Sequence, residues 1–324
     1  KKYASFIVNR VHSEGLRHFK VDAVGRVIEH SSRLVEDQTK LSTRFSDIAA
    51  LITESNYWAQ VRNHSLVTRT DVEQAIKEKE YRSNLIEEEV LESYANGTFK
   101  ISVDGYAVGQ INGLAIINIG DHSFGKPTRL TARIALGKGD ITNIDQDSQL
   151  GGPIHGKGFH ILLGYLVGKY GFDSTLPIRG TIAFEQSYSE IDGDSASSVE
   201  LYALLSSLAH IPINQAFAVT GSVNQHGEVQ AVGGVTKKIE GFYSVCKANG
   251  LTGNQGVIIP ESNVRNLALN EEVETAIANG KFHLYAVKTI DEGMELLSGV
   301  ALTAKSDDSS SDMSKLDQII LQAL

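Results

Sequence analysis

The chain has 324 residues, 41% hydrophobic and 21% charged, with 30 basic side chains against 39 acidic ones for a formal net charge of −9. That length holds two cores, and the composition is that of a globular protein, not of a disordered or collagen-like one. The single cysteine, Cys246, excludes a disulfide framework within the chain and any multi-cysteine zinc site, and no run of about 18 apolar residues marks a membrane span.

Glycine and proline divide the chain. Of 30 glycines only Gly15 and Gly25 precede residue 90, and all five prolines lie beyond it. The first 90 residues carry 14 basic and 14 acidic side chains, so the whole acidic excess lies downstream. In this glycine-poor part Ile7, Val11 and Leu16, then Val24, Val27, Ile28 and Leu34, then Phe45, Ile48, Leu51 and Ile52, then Val72, Ile76, Leu85, Ile86 and Val90 recur mostly at spacings of three and four. That is the helical period, and it predicts four helices. The last is expected to open on a capping box, Thr70 with Glu73, and to run to a stop at Ala95-Asn96-Gly97. Pattern alone reads this part as a helical bundle or a partner-docking module.

From Thr98 onward the period shifts to two, with β-branched runs at 114–119, 130–135 and 178–184 bounded by Gly, Asp and Asn. Helical stretches are expected at about 157–170, 195–209, 235–249 and 288–298. Gly256–Pro260 and Leu284–Val287 read as parallel strands joined by crossovers. Residues 305–315 form a polar linker, after which Leu316, Ile319, Ile320 and Leu324 give a short tail helix one apolar face for docking.

One glycine motif is a false lead. Gly120 to Pro127 nearly spells a phosphate-binding loop, but Pro127 occupies the position whose hydroxyl should hold magnesium. Beyond it lies a β-patterned run where a helix is required. A strand-to-strand loop is the expectation.

The chemistry concentrates further on. Asp192-Gly193-Asp194-Ser195-Ala196-Ser197 lies between an expected strand and an expected helix. A serine there can present its hydroxyl while the first helical N–H groups point to the same place and stabilise an oxyanion. It needs a base to become a nucleophile. Ala216 to Gly234 reads as a hairpin turning at Gln225-His226-Gly227, and Val235-Thr-Lys237-Lys238 then opens a helix. A lysine in a first helical turn, beside a second cation, meets two influences that disfavour its charged form. A deprotonated Lys238 close to Ser195 would serve as general base and later as general acid. Taken singly, a Gly-Asp-Ser turn is an ordinary helix cap and a lysine at a helix start an ordinary solvated cation. Both together in one chain shift the balance.

At these residues the chain resembles the C-terminal part of Lon-type ATP-dependent serine proteases, in their B-type form. The resemblance covers about residues 98–300 and runs through GQINGLAIINIGDHSFGKPTRLTA (109–132), LGGPIHGKG (150–158), DGDSAS (192–197), AVTGSVNQHGEVQAVGGVTKKIEG (218–241) and YAVKTIDEGMELLSG (285–299). It places the family's nucleophile on Ser195, its catalytic lysine on Lys238 and its lysine-orienting threonine on Thr220. The B-type acidic residue falls on Asp192, and whether it pairs with Lys238 is left open. The A-type Pro-Ser-Ala-Gly is replaced by Asp194-Ser195-Ala196-Ser197.

The resemblance also implies an α/β (α+β) protease domain at 96–300, a small all-α AAA+ lid at 1–95, and a linker with a tail helix at 301–324. Leu41 to Ala50 matches the helix that carries a nucleotide-sensing arginine, Arg44, which would act only together with a large ATPase subdomain. No cofactor or metal is expected of these residues themselves. ATP and magnesium are expected of a full-length protein, with an ATPase core upstream of Lys1. The activity implied is cleavage of unfolded or damaged polypeptides by a cytoplasmic homo-hexamer, with no membrane segment in this stretch. The residues after 90, 16 basic against 25 acidic, suit no phosphate backbone. The alternatives are a non-catalytic Lon-like ring scaffold, against which the intact dyad counts, and a serine-histidine hydrolase using His226 or His155, for which no G-x-S-x-G elbow surrounds Ser195.

Overall fold

The computed structural model describes residues 2–137, 139–171, 178–301 and 314–324. The chain divides into two compact units. One runs through Val90 and takes in 118–122 and 265–269; the other comprises the remaining described residues.

The first unit is helical: α1 (Lys2–Ser13), α2 (Val21–Arg33), α3 (Phe45–Val61), α4 (Arg69–Tyr81) and the start of α5 (Leu85–Ala95). Ile7, Val11, Val27, Ile48, Ile52 and Val72 form its buried core, so the three- and four-residue spacings do face inward. The single long final helix predicted here is two helices. Its capping box sits two residues earlier than expected, on Thr68 and Asp71, where the Asp71 carboxylate accepts the Thr68 N–H at 2.9 Å. The break falls at residues 82–84, where the Ser83 hydroxyl donates to the carbonyls of Lys79 and Glu80. The stop at Ala95 is as expected, with Gly97 at φ +76°, where a side chain would be strained.

The second unit continues as β1 (Tyr106–Ala107), β2 (Gln110–Ile119), β3 (His122–Leu136), β4 (Asp140–Asn143), α6 (Ile144–Asp147), α7 (Pro153–Tyr170), β5 (Ile178–Phe184), α8 (Ser197–Ala209), β6 (Ile213–Asn214), β7 (Phe217–Val219), β8 (Ser222–Val223) and β9 (Val229–Gln230). It ends with α9 (Val235–Asn249), β10 (Gly256–Pro260), α10 (Glu271–Ala278), β11 (His283–Val287), α11 (Ile290–Ser298) and α12 (Lys315–Ala323). A seven-stranded mixed sheet has the order β11-β10-β7-β2-β3-β5-β4. As the glycine-bounded apolar runs predict, β10 is parallel to β11, with Ile258 opposite Tyr285, and parallel to β7, with Ile258 opposite Val219. Strand β5 is antiparallel to β3. Helix α8 is buried almost all round, and Leu201, Tyr202, Leu204 and Leu205 join Phe159 and Leu162 of α7 in the main core. The phosphate-loop lookalike is a turn at Gly120-Asp121 followed directly by β3, the strand-to-strand loop expected.

Residues 302–313, most of the predicted linker, lie outside the described residues. Helix α12 begins at the end of that stretch, capped by Ser314 and Asp317. Leu316 and Ile320 are fully buried in the main core, as the apolar face of the tail predicts. Burying two such side chains contributes about 3 to 6 kcal/mol at most. Deleting residues 314–324 is therefore expected to lower the urea midpoint of the second unit clearly; an unchanged midpoint would show that the tail is not part of the core. Among the described residues no helix is long and apolar enough to cross a membrane.

Candidate active site

Three segments of the second unit meet at Ser195. Ser195 lies two residues before α8, half-buried, in a loop whose Gly193 takes φ +103°. Thr220 follows β7, and its N–H donates to the carbonyl of Ile258 in β10, so the sheet fixes it. Lys238 is the fourth residue of α9, a helix entered through Gly234 at φ +67°. The side chains converge: Lys238 Nζ lies 3.0 Å from Ser195 Oγ and 3.0 Å from Thr220 Oγ1. Lys238 is 3% exposed and Thr220 1%.

The Ser195 loop is laced to the strand beside it. Gly221 N–H donates to the Ser195 carbonyl at 3.1 Å, and Ser198 returns both its N–H and its hydroxyl to the Gly221 carbonyl. Ser222 Oγ donates to Asp194 Oδ2 at 2.9 Å, and Val223 N–H to Ser197 Oγ at 3.1 Å. This lacing alters one expectation. The first N–H groups of α8 do not face an open site, because Ser197 N–H donates to the Asp194 carbonyl and Ser198 N–H to that of Gly221. Loop closure has claimed both of these donors.

Asp192 reaches the start of α7. Its Oδ1 accepts the N–H of Ile154 at 3.0 Å and of His155 at 3.2 Å, so its carboxylate caps the start of α7. Hydrogen bonding by the Gly193 N–H, then by those of His155 and Ile154, holds the carboxyl below the ordinary range. The orphan donors of a helix start, where Pro153 occupies the first turn, prefer an anion, and this one is supplied by the loop that bears Ser195. The LGGPIHGKG segment makes that seat possible: a Cβ on Gly152 would lie 2.6 Å from Asp192 Cγ, and one on Gly158 3.3 Å from Asp194 Cα.

His226 is exposed at the turn between β8 and β9, as expected. His155 is buried and its ring is directed to Glu200, at 2.9 Å, away from any role as a serine base. Arg44 lies exposed at the N-cap of α3 in the helical unit. A nucleotide does not fit the 120–127 stretch either, since Gly125 lies against the backbone of α9: a Cβ there would be 2.1 Å from the Lys237 carbonyl oxygen. No group of His, Cys, Asp and Glu among the described residues is arranged to hold a metal ion.

Family models match both units. Residues 18–82 match the archaeal LonB AAA+ ATPase lid domain, and residues 187–298 match the Lon protease (S16) C-terminal proteolytic domain. A putative Lon protease homolog of Escherichia coli K12 is 42% identical over 224 residues, covering 68% of this chain and 38% of that protein. A putative Lon protease homolog of Haemophilus influenzae is 38% identical, covering 78% and 43%. An archaeal Lon protease of Halobacterium salinarum is 30% identical, covering 86% and 38%. The chain thus spans less than half the length of these curated relatives. It belongs to the Lon protease family, with a lid domain of the archaeal LonB type followed by a Lon proteolytic domain.

Proposed function

We propose that the chain is the proteolytic part of an ATP-dependent serine endopeptidase that cuts unfolded polypeptides with Ser195 and Lys238. The observation that carries this reading is one buried amine, 3.0 Å from both the Ser195 and Thr220 hydroxyls. In this reading Lys238 acts as the neutral amine that a general base requires. Thr220 holds the amine in line. Ser195 Oγ then bonds to the substrate carbonyl carbon while its proton passes to Lys238 Nζ. The developing oxyanion takes the N–H groups of Ser195 and Ala196. As the C–N bond breaks, Nζ returns the proton to the leaving amine, and water hydrolyses the acyl ester by the same route. Asp192 enters as the cap that holds the loop.

Replacing Ser195 with Ala is expected to cut kcat on an unstructured polypeptide by about 10⁴-fold or more, since the nucleophile is lost and only binding and oxyanion contacts remain. Cleavage within tenfold of wild type by a folded Ser195→Ala protein would overturn the assignment. The same reading has the chain assembling into hexameric rings around the active sites, with Arg44 sensing nucleotide only when a large ATPase subdomain is present. Light scattering at high concentration tests the assembly, and monomers alone would count against it.

A further inference from the structure

We propose that His155 and Glu200 form a positioning pair that holds Ser195 in place by tying together the two elements on either side of its loop. The inference rests on Ser195 being the nucleophile. Loop 192–196 is anchored at its start by Asp192 on the first turn of α7 and at its end by α8. His155 reaches both. Its backbone N–H holds the Asp192 carboxylate at 3.2 Å, and its ring Nε2 lies 2.9 Å from Glu200 Oε1, in the first turn of α8. Glu200 Oε1 also accepts from Asn143 Nδ2 at 2.8 Å, which ties α8 to the edge of the sheet. Just ahead of the loop, Ile191 is stitched to the same segment: its N–H donates to Leu150 and its carbonyl accepts from Gly152. The serine loop is therefore set on a rigid frame of α7, α8 and β4.

The pair is expensive as packing. His155 is 1% exposed and Glu200 fully buried, and among the described residues neither His155 Nδ1 nor Glu200 Oε2 has a hydrogen-bond partner. Apolar side chains of similar size in place of such a pair often cost nothing or stabilise a fold, and each unpaired buried atom carries a desolvation penalty. A pair retained in that setting contributes geometry. Burial pulls the imidazole pKa down, but Glu200, then Asp145 and Asp192, reverse this and leave it above its ordinary value, while burial raises Glu200 and Asp145 as well. Displacing a nucleophile by about 1 Å can cost about 10²-fold in rate, so modest slackening of this frame is enough to matter.

The test uses the full 324-residue chain and a flexible peptide, with thermal unfolding recorded for each variant. His155→Leu strands a buried carboxylate and can fail to fold, so the deciding variant is the double replacement His155→Leu with Glu200→Gln, which removes the bridge and the charge together. It is expected to stay folded near the wild-type Tm while kcat falls at least tenfold and KM stays within twofold. Glutamine alone at 155 places an N–H about where Nε2 sits, and is expected to recover most of the rate lost with leucine. A folded double variant with kcat within threefold of wild type, a deficit carried by KM, or a glutamine variant as slow as the leucine one would overturn the proposal. Ser195→Ala in the same assay separates the two ideas: full activity there removes the nucleophile assignment itself, whereas an inactive Ser195→Ala beside an unaffected double variant removes only the positioning role.

Discussion

Lys238→Arg is expected to lower kcat by about 10⁴-fold or more while the protein stays folded and KM stays within a few-fold. The substitution keeps a long cationic side chain, so a purely electrostatic role for residue 238 would survive it in large part. A general base would not survive, because guanidinium cannot lose its proton at accessible pH. The site sharpens the contrast. Lys238 is 3% exposed and its amine contacts two hydroxyls at 3.0 Å. Single-turnover kinetics on a flexible peptide separate the chemical step from binding. An arginine variant within tenfold of wild type in the acylation step would show that no proton leaves Ser195 for residue 238.

Gly125→Ala is expected to inactivate the enzyme from outside the site. A Cβ at residue 125 would lie 2.1 Å from the Lys237 carbonyl oxygen and 2.8 Å from Lys238 Cα, both backbone atoms that cannot rotate aside. The contact is mutual, since a Cβ on Gly241 would lie 2.0 Å from the Gly125 carbonyl oxygen. Strand β3 and helix α9 therefore touch backbone to backbone, and that contact sets the position of Lys238. Relieving the overlap requires α9 to retreat by about 1 Å, which costs about 1 to 3 kcal/mol of overpacking and about 10²-fold in rate through the displaced amine. The expected pattern is a loss of kcat far larger than the loss of stability, measured together on one preparation. A variant with wild-type kcat and unchanged unfolding midpoint would mean that the two backbones are not in contact.

Gly125 also shows where sequence reading is strong and where it stops. Its motif fails as a phosphate loop on Pro127 alone, and the strand that follows was visible in the β-branched run to Ala135. The reason for the glycine was not visible, because it depends on Lys237 and Gly241, more than a hundred residues away in the chain. Ser195, Thr220 and Lys238 stood out because each sits in a distinctive local context, and local context is what a sequence displays. Asp192 was legible as a residue that matters and not in its place: hydrogen bonds to Ile154 and His155 are long-range, and a carboxylate beside a serine and a lysine equally suggests a lysine partner. The His155 and Glu200 pair escaped for the same reason, though the glycines around it in LGGPIHGKG were a signal that other backbone comes close. In the helical unit the periodicity predicted the core, while the break after Tyr81 carried no period of its own.

The central claim is that Ser195 is a nucleophile activated by Lys238. Its most direct measurement is mass spectrometry of the chain after incubation with a serine-directed fluorophosphonate, comparing wild type with Lys238→Ala. One adduct on the peptide containing Ser195, formed at least about 10²-fold more slowly when the lysine is absent, is the predicted result. An adduct elsewhere, no adduct on a folded protein, or equal rates with and without Lys238 would contradict it.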